Sequence, residues 1–559
     1  MLQAEAETPP PPRKGLAVLK VAFTNRKTGI MLIYGMAAGL PNALLLGTLY
    51  AWLGEVGVDL ETMGVFSLIG LAYAFKFLWS PLVDRGRVPG LWRLGRRRSW
   101  LVPIQALVGL VLIVLSQLNP QTSIGLFSLL AGIAAFASAT QDIVIDAWRV
   151  EVADERAPLE LLSSVYQLGY RLATLAGGAL ALVLAARVGW QAVYAGFGVF
   201  MLVVMLASWF APDTRWDERL DGEAADHAHP LARRVRMAAL ALVGLLWGWA
   251  GITVIVFMVR SLGAEPADRP DATAFIRFYG PLIVIATVVV PAIVAAILDG
   301  WRRAGRHLAS DVDAAALPGF FDHAYRALVE PLAELVGRLR WAAILVLAIV
   351  LSYRLTDSIW GPFAFPFYLQ ELQYTNDEVA FASKFFGVGM TMAGIALGAV
   401  LFAVIGRMPT VLLGAAVAAA SNLLYADLAQ GGAGLDLFSR VSGFGWLAAQ
   451  LGADERMARL LLAIAGENLS GGLAGAAFVA YLSSITAKSH AAVQYALLSS
   501  LTVLVGSLGR AALGEWIDRV GYAPVFYFTA ALGLIAVALT ALDWARQARA
   551  ERIRKAIPG

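Results

Sequence analysis

Asp142 and Asp146 lie four residues apart in the string Gln141-Asp142-Ile143-Val144-Ile145-Asp146-Ala147-Trp148. That spacing is about one helical turn and puts both carboxylates on one face. The surrounding segment is otherwise apolar enough to span a bilayer, where each acid near the centre costs roughly 2.5 to 3.5 kcal/mol on insertion scales. The pair must therefore face inward, toward water, a cation or a substrate. Several other hydrophobic segments carry charge in the same way, and together they read as a transport path.

The elements that must position these acids follow from composition. The chain has 559 residues, 59% hydrophobic and 15% charged, with a mean hydropathy of +0.68, outside the range of an ordinary soluble domain. With no cysteine, a disulfide framework and a thiolate metal site are both excluded. Apolar stretches of spanning length cover residues 30–53, 63–82, 100–118, 124–148, 161–185 and 193–210, then 238–259 and 280–298, then 341–369, 379–405, 411–428, 460–485, 491–513 and 524–545. The pattern is fourteen spans, grouped six, two and six: an all-α polytopic protein of two six-helix halves with an additional pair between them. The division is a lead at 1–29, a first half at 30–211, a linker region with the extra pair at 212–340, a second half at 341–545 and a basic tail at 546–559.

Lys14, Lys20, Arg26 and Lys27 precede the first span, Arg85 to Arg98 supply six arginines after the second, and Arg546 to Lys555 follow the last. By the positive-inside rule these loops and both termini are cytoplasmic. His227 and His229 read as part of a solvated linker, since no ligand cluster accompanies them. Residues 431–456 form a polar interruption on the opposite side, with Leu435, Phe438, Val441, Phe444 and Leu447 at helical spacing, the pattern of a helix lying on the membrane surface.

Two six-span halves suit a transporter that holds its substrate between them near the midplane. The residues also resemble a known family, the AmpG-type muropeptide permeases of the major facilitator superfamily. The resemblance rests on Gly39-Leu40-Pro41, Gly47-Thr48-Leu49, Ala51-Trp52, Tyr73, Phe75-Lys76-Phe77-Leu78-Trp79-Ser80-Pro81-Leu82, Asp84-Arg85 and Gly95-Arg96-Arg97-Arg98. It continues through Gln141-Asp142-Ile143, Asp146-Ala147-Trp148, Gly169-Tyr170-Arg171, Glu467-Asn468, Phe478-Val479-Ala480 and Gln494 to Ser499. It spans both halves, more densely the first. Enterobacterial members carry their two additional spans after the twelfth, whereas this chain has its pair between the halves, which makes the pair dispensable in expectation.

The resemblance implies proton-driven import of N-acetylglucosaminyl-1,6-anhydro-N-acetylmuramyl peptides from periplasm to cytoplasm across the bacterial inner membrane. It also implies a role in peptidoglycan recycling and β-lactamase induction, by a monomer needing no cofactor beyond the proton gradient, in contact with lipid and not with nucleic acid. Such a ligand calls for cations, hydrogen-bond donors and aromatic faces. Lys76, Arg171 and Lys384 are the candidate cations, with Gln141, Tyr73, Tyr170, Trp360, Asn468 and Gln494 as polar or aromatic partners. Arg354 and Asp357 are three apart and pair locally, so they are assigned with Asp84 and Arg85 to gating or structure. None of the five histidines falls within a span, which leaves carboxylates to carry protons: Asp142 first, Glu467 second, with Asp146 nearer the cytoplasmic end as a gate anchor. Two rival functions are carriage of another bulky anion such as acetyl-coenzyme A and a membrane-embedded enzyme acting on lipid-linked sugars. Against the enzyme, no large loop offers paired catalytic carboxylates or a nucleotide-binding motif.

Overall fold

Asn25 starts the first helix by accepting the amide of Lys27 at 2.9 Å, the ordinary side-chain cap for an exposed helix end. The helix, α1 (Arg26–Glu55), carries Pro41 and passes through a wider π-type turn at Leu44–Thr48. A proline removes one donor from the ladder, and the local re-spacing accommodates it. The computed structural model describes residues 24–58, 63, 66, 68–212, 231–264, 268–307, 320–356, 361–450, 452–508 and 510–556. Residues 1–23 of the N-terminal lead, His227, His229, Asp357 and Trp360 lie outside them.

The second expected span is broken. It comprises α2 (Leu68–Ala74), a tight turn at Lys76–Leu78 and α3 (Ser80–Arg85). Phe75 and Trp79, at φ, ψ of −107°, 13° and −108°, 1°, leave helical geometry on either side of Lys76. Then come α4 (Arg98–Gln117) and α5 (Ile124–Val152), which carries both acids. The fifth and sixth spans are fused into α6 (Leu159–Trp209), broken only at Gly189 (φ 83°, ψ 157°). A residue with a side chain rarely adopts that conformation, so glycine lets the chain reverse without a loop. The first leg of α6 packs on α1 and the second on α4. The α1 contact is close enough that a Cβ on Gly35 would fall 2.2 Å from the carbonyl oxygen of Tyr166, and one on Gly169 2.3 Å from that of Leu32.

The inserted pair is α7 (Arg233–Gly263) and α8 (Ala272–Arg303). Two short amphipathic helices follow, α9 (Phe320–Leu328) and α10 (Glu330–Leu339), packed on α7 and α8 respectively. The chain bends by 106° into α11 (Ala342–Ser352). The later helices are α12 (Asn376–Ile405), α13 (Arg407–Ala429), α14 (Ala433–Ser442), α15 (Phe444–Gln450), α16 (Glu455–Ile485), α17 (Ala491–Leu508), α18 (Arg510–Val520) and α19 (Tyr522–Ala556).

Among the described residues ten helices are long and apolar enough to cross a membrane, or eleven if the bent pair at Glu330–Ser352 is one span. The difference from fourteen falls where the expected second and ninth spans are interrupted, where the fifth and sixth are continuous, and where residue 509 of the expected thirteenth lies outside the described residues. The polar interruption forms α14 and α15 and leaves Leu437, Phe438, Val441 and Trp446 exposed. Leu435, expected on the same apolar stripe, is instead buried. The two halves adjoin where the first leg of α6 meets α12 and α16, and where α17 meets α2, α3 and α5.

Candidate functional site

The acids of α5 face the break in the second span. Lys76 points its ammonium between them, with Nζ 3.7 Å from Asp142 Oδ2 and 3.7 Å from Asp146 Oδ2. All three are buried. One cation shared by two carboxylates is an unequal arrangement here, because Asp146 has a second partner: Arg149 donates to its Oδ1 at 3.0 Å. Asp142 Oδ1, by contrast, is a buried oxygen with no hydrogen-bond partner. Of the two acids, Asp142 has the acceptor capacity left over.

Arg149 was not singled out from sequence, yet it joins the halves. It is fully buried, its Nε donates to Ser483 Oγ on α16 at 3.3 Å, and its guanidinium lies 4.7 Å from the ring of Tyr166 and 4.9 Å from that of Tyr495. Those contacts give a desolvated cation several stabilising partners. Its position three residues after Asp146 was the available signal.

Around this cluster, Tyr73 donates to Ser138 Oγ at 2.9 Å, and the Gln141 amide donates to the Ala37 carbonyl at 2.7 Å. Tyr170 stands 6.3 Å, ring to ring, from Tyr166, and Arg171 follows it, half-buried, on the first leg of α6.

The second half has a different centre. Tyr425 donates to Glu467, and the hydroxyls of Tyr368 and Tyr425 are 2.8 Å apart. Both tyrosines are buried. Asn468 accepts from Thr391 at 2.9 Å and donates to the Ile464 carbonyl at 3.0 Å. Lys384 sits in a π-type turn, Phe381–Phe386. It is exposed rather than buried, with its ammonium 5.2 Å from the ring of Phe365, and among the described residues it makes no ion pair. Arg354 donates to the Gly471 carbonyl at 3.3 Å.

A second charged group closes the end that carries the arginine-rich loop. Arg97 binds Asp84 at 2.7 Å and Glu151 at 2.6 Å, while Arg96 reaches Asp84 at 3.3 Å and Glu151 at 3.5 Å. Arg85 pairs with Glu330 of α10 at 3.6 Å. Contacts between halves gather at this end: Arg407 to Glu160 at 3.1 Å, Arg96 to the Ser489 carbonyl at 3.5 Å and Lys488 to the Ala153 carbonyl at 3.4 Å.

Gln494 belongs here and not with Lys76. Its amide donates to Glu334 at 2.7 Å and to the Pro331 carbonyl at 2.8 Å, and its oxygen accepts the Ala487 amide at 2.8 Å. Beside it His490 is buried with neither ring nitrogen hydrogen-bonded, and burial pulls it down to about 4. At the rim, burial raises Asp154, but the Lys27 ammonium and the amides of Ala157 and Arg156 outweigh it and hold the carboxyl below its usual range. Glu151 escaped sequence reasoning because its partners, Arg96 and Arg97, come from a distant segment, and His490 because its burial is set by packing between segments.

The helix arrangement has solved counterparts. A double-Trp mutant of XylE superposes with a TM-score of 0.51 over 95% of this chain and 96% of that one, at 13% identity. The proton:xylose symporter XylE bound to 6-bromo-6-deoxy-D-glucose gives 0.51 over 93% and 94%, at 11% identity. The fold is that of the major facilitator superfamily.

In sequence the chain is similar to proteins named as AmpG-type permeases. The anhydromuropeptide permease of Escherichia coli (strain K12) is 28% identical over 512 residues, 91% of this chain and 78% of the relative. A Rickettsia conorii transporter named AmpG 4 is 27% identical over 507 residues, 90% and 93% of the two chains. A family model described as acetyl-coenzyme A transporter 1 matches residues 30–173. The chain is thus a multi-pass helical membrane protein with the major facilitator fold, similar in sequence to proteins named as permeases.

Proposed function

We propose that this transporter imports N-acetylglucosaminyl-1,6-anhydro-N-acetylmuramyl peptides together with protons, by alternating access, from periplasm to cytoplasm. It would sit in the bacterial inner membrane with both termini cytoplasmic and serve peptidoglycan recycling and β-lactamase induction. The observation that carries this reading is the buried set Lys76, Asp142, Asp146 and Arg149 at the junction of the halves, in a chain similar along nine tenths of its length to an anhydromuropeptide permease.

In this mechanism Asp146 stays paired with Arg149, and Asp142, with one oxygen unpartnered, takes the proton. Protonating Asp142 withdraws one of the two charges holding Lys76, freeing its ammonium for a carboxylate of the peptide stem. Arg171 and Lys384 supply further cations, and Tyr73, Tyr170 and Asn468 supply hydroxyl and amide groups facing the sugars. The ion pairs of Asp84, Arg96, Arg97 and Glu151 latch the basic end while the opposite end is open, and they part when the halves rock.

The test is uptake of a labelled anhydromuropeptide into proteoliposomes under a proton gradient. Wild type accumulates it, and Asp142→Asn binds it but does not accumulate it, because the amide keeps size and hydrogen bonding and loses titration. Accumulation by Asp142→Asn equal to wild type would move the proton to Glu467. A second reading, transport of a nucleotide thioester such as acetyl-coenzyme A, is favoured by the family match at 30–173. Uptake of the thioester with no uptake of the muropeptide would establish it.

A further inference from the structure

The inserted pair α7–α8 packs behind the one turn of the molecule that carries Lys76. Phe75 and Phe77 flank that lysine and are 0% and 1% exposed. Both meet rings from the inserted pair edge to face. Phe75 lies 6.4 Å from Phe275 of α8 at an interplanar angle of 78°, and Phe77 lies 6.0 Å from Trp247 of α7 at 87°.

The two partners are themselves fixed. Phe275 stacks on Phe257 of α7 at 4.0 Å, and the Trp247 indole donates to the Thr287 carbonyl of α8 at 3.2 Å. Met258 of α7 completes one wall of an apolar cavity that Phe66, Ile69, Ala72 and Phe136 also line. In addition α8 touches α17, the helix of the second half that packs on the Lys76 turn. A 3₁₀ turn with non-helical residues at both ends has few hydrogen bonds of its own to define it, so its register depends on what holds its side chains. Edge-to-face ring pairs are worth about 0.5 to 1.5 kcal/mol each beyond area burial and are directional.

We infer that the inserted helix pair is a positioning element for the transport site: Trp247 and Phe275 hold Phe77 and Phe75, and thereby keep the Lys76 ammonium between Asp142 and Asp146. The pair is then required for coupling. The inference rests on the proposed proton-coupled reading for its transport consequence and on packing alone for its structural one.

The two can be tested separately, because the chain has no native cysteine. Leu78, partly buried at the end of the turn, is replaced by cysteine and its maleimide labelling rate measured in the full-length protein in membranes, a readout that needs no substrate. Trp247→Ala with Phe275→Ala should raise that rate about tenfold or more, and should depress gradient-driven accumulation by a similar factor while preserving substrate counterflow, which moves no net proton. Trp247→Phe and Phe275→Tyr, which keep a ring at each place, should restore both. A general loss of fold would lower accumulation and counterflow together, and that result overturns the inference, as does a labelling rate unchanged by the alanine variants. If wild type fails to carry muropeptide, the proposed substrate falls, and the labelling rates still decide whether the pair fixes the turn.

Discussion

The two halves solve the same problem, a lysine and an acid at membrane depth, in opposite ways. In the first half Lys76 lies against two carboxylates and Arg149 neutralises one of them, so four charges lie within one buried network. In the second half Glu467 is met by the hydroxyl of Tyr425, backed by Tyr368, while Lys384 stands exposed over an aromatic face. The dense network is interdependent: removing one member leaves others uncompensated in a low-dielectric site. The dispersed one loses only what it touches. In the proposed mechanism coupling belongs where charges share partners, and ligand capture where a cation is exposed.

That contrast breaks most easily at the lysines. Lys76→Ala should destabilise the detergent-solubilised protein by about 3 to 5 kcal/mol, since it strands buried Asp142 and leaves Asp146 to Arg149 alone, and adding Asp142→Asn should recover a large part of the loss. Thermal unfolding of the single and double variants checks this. Equal stabilities would mean that the two acids do not depend on Lys76.

The next effect concerns the unpaired group of the second half. His490 titrates at about 4 in the fold because of burial, against 6.5 ordinarily. Between those values the unfolded chain binds a proton that the folded one does not, so stability falls as pH drops through the window, by about 3 kcal/mol at most. His490→Leu should flatten the pH dependence between 7 and 4 relative to wild type, and an unaltered slope would rule out the buried neutral imidazole.

Smaller still, Lys384→Ala should leave unfolding temperatures unchanged while weakening binding of the anhydromuropeptide by about 1.5 to 3 kcal/mol, the scale of a lost charge-assisted hydrogen bond. Calorimetric titration reads it directly, and a stability loss like that of Lys76→Ala would erase the contrast between the halves. Least of all, Tyr425→Phe should cost about 1 to 2 kcal/mol, since its hydroxyl bonds both Glu467 and Tyr368. If accumulation collapses in that variant while the fold is intact, proton carriage shifts toward the second half.

Much of this was legible in the chain. The apolar segments and their charge asymmetry gave the polytopic character, and the four-residue spacing in α5 put Asp142 and Asp146 on one face, because both signals are local and periodic. Lys76 was readable as a buried cation, but its pairing with both acids was not, since that requires the second span to break at Phe75 and Trp79. The fusion of two spans across Gly189 was hidden for a related reason: a single glycine at positive φ replaces the loop that hydropathy leads one to expect. Gln494 read as a ligand group because it lies in a family-like string, whereas its contacts are with α10, a segment far away in sequence.

The sequence by itself determined the membrane class, the helical elements and which residue types had to be kept from lipid, because burial of apolar surface and exclusion of charge act on each segment separately. Tertiary structure alone decided which charges share partners. It joined Arg149 to Ser483 and Tyr495 across the halves, tied Tyr425 to Glu467, and brought Trp247 and Phe275 of an inserted pair behind the Lys76 turn. Pairings of that kind depend on distances between segments far apart in the chain, which no local periodicity encodes.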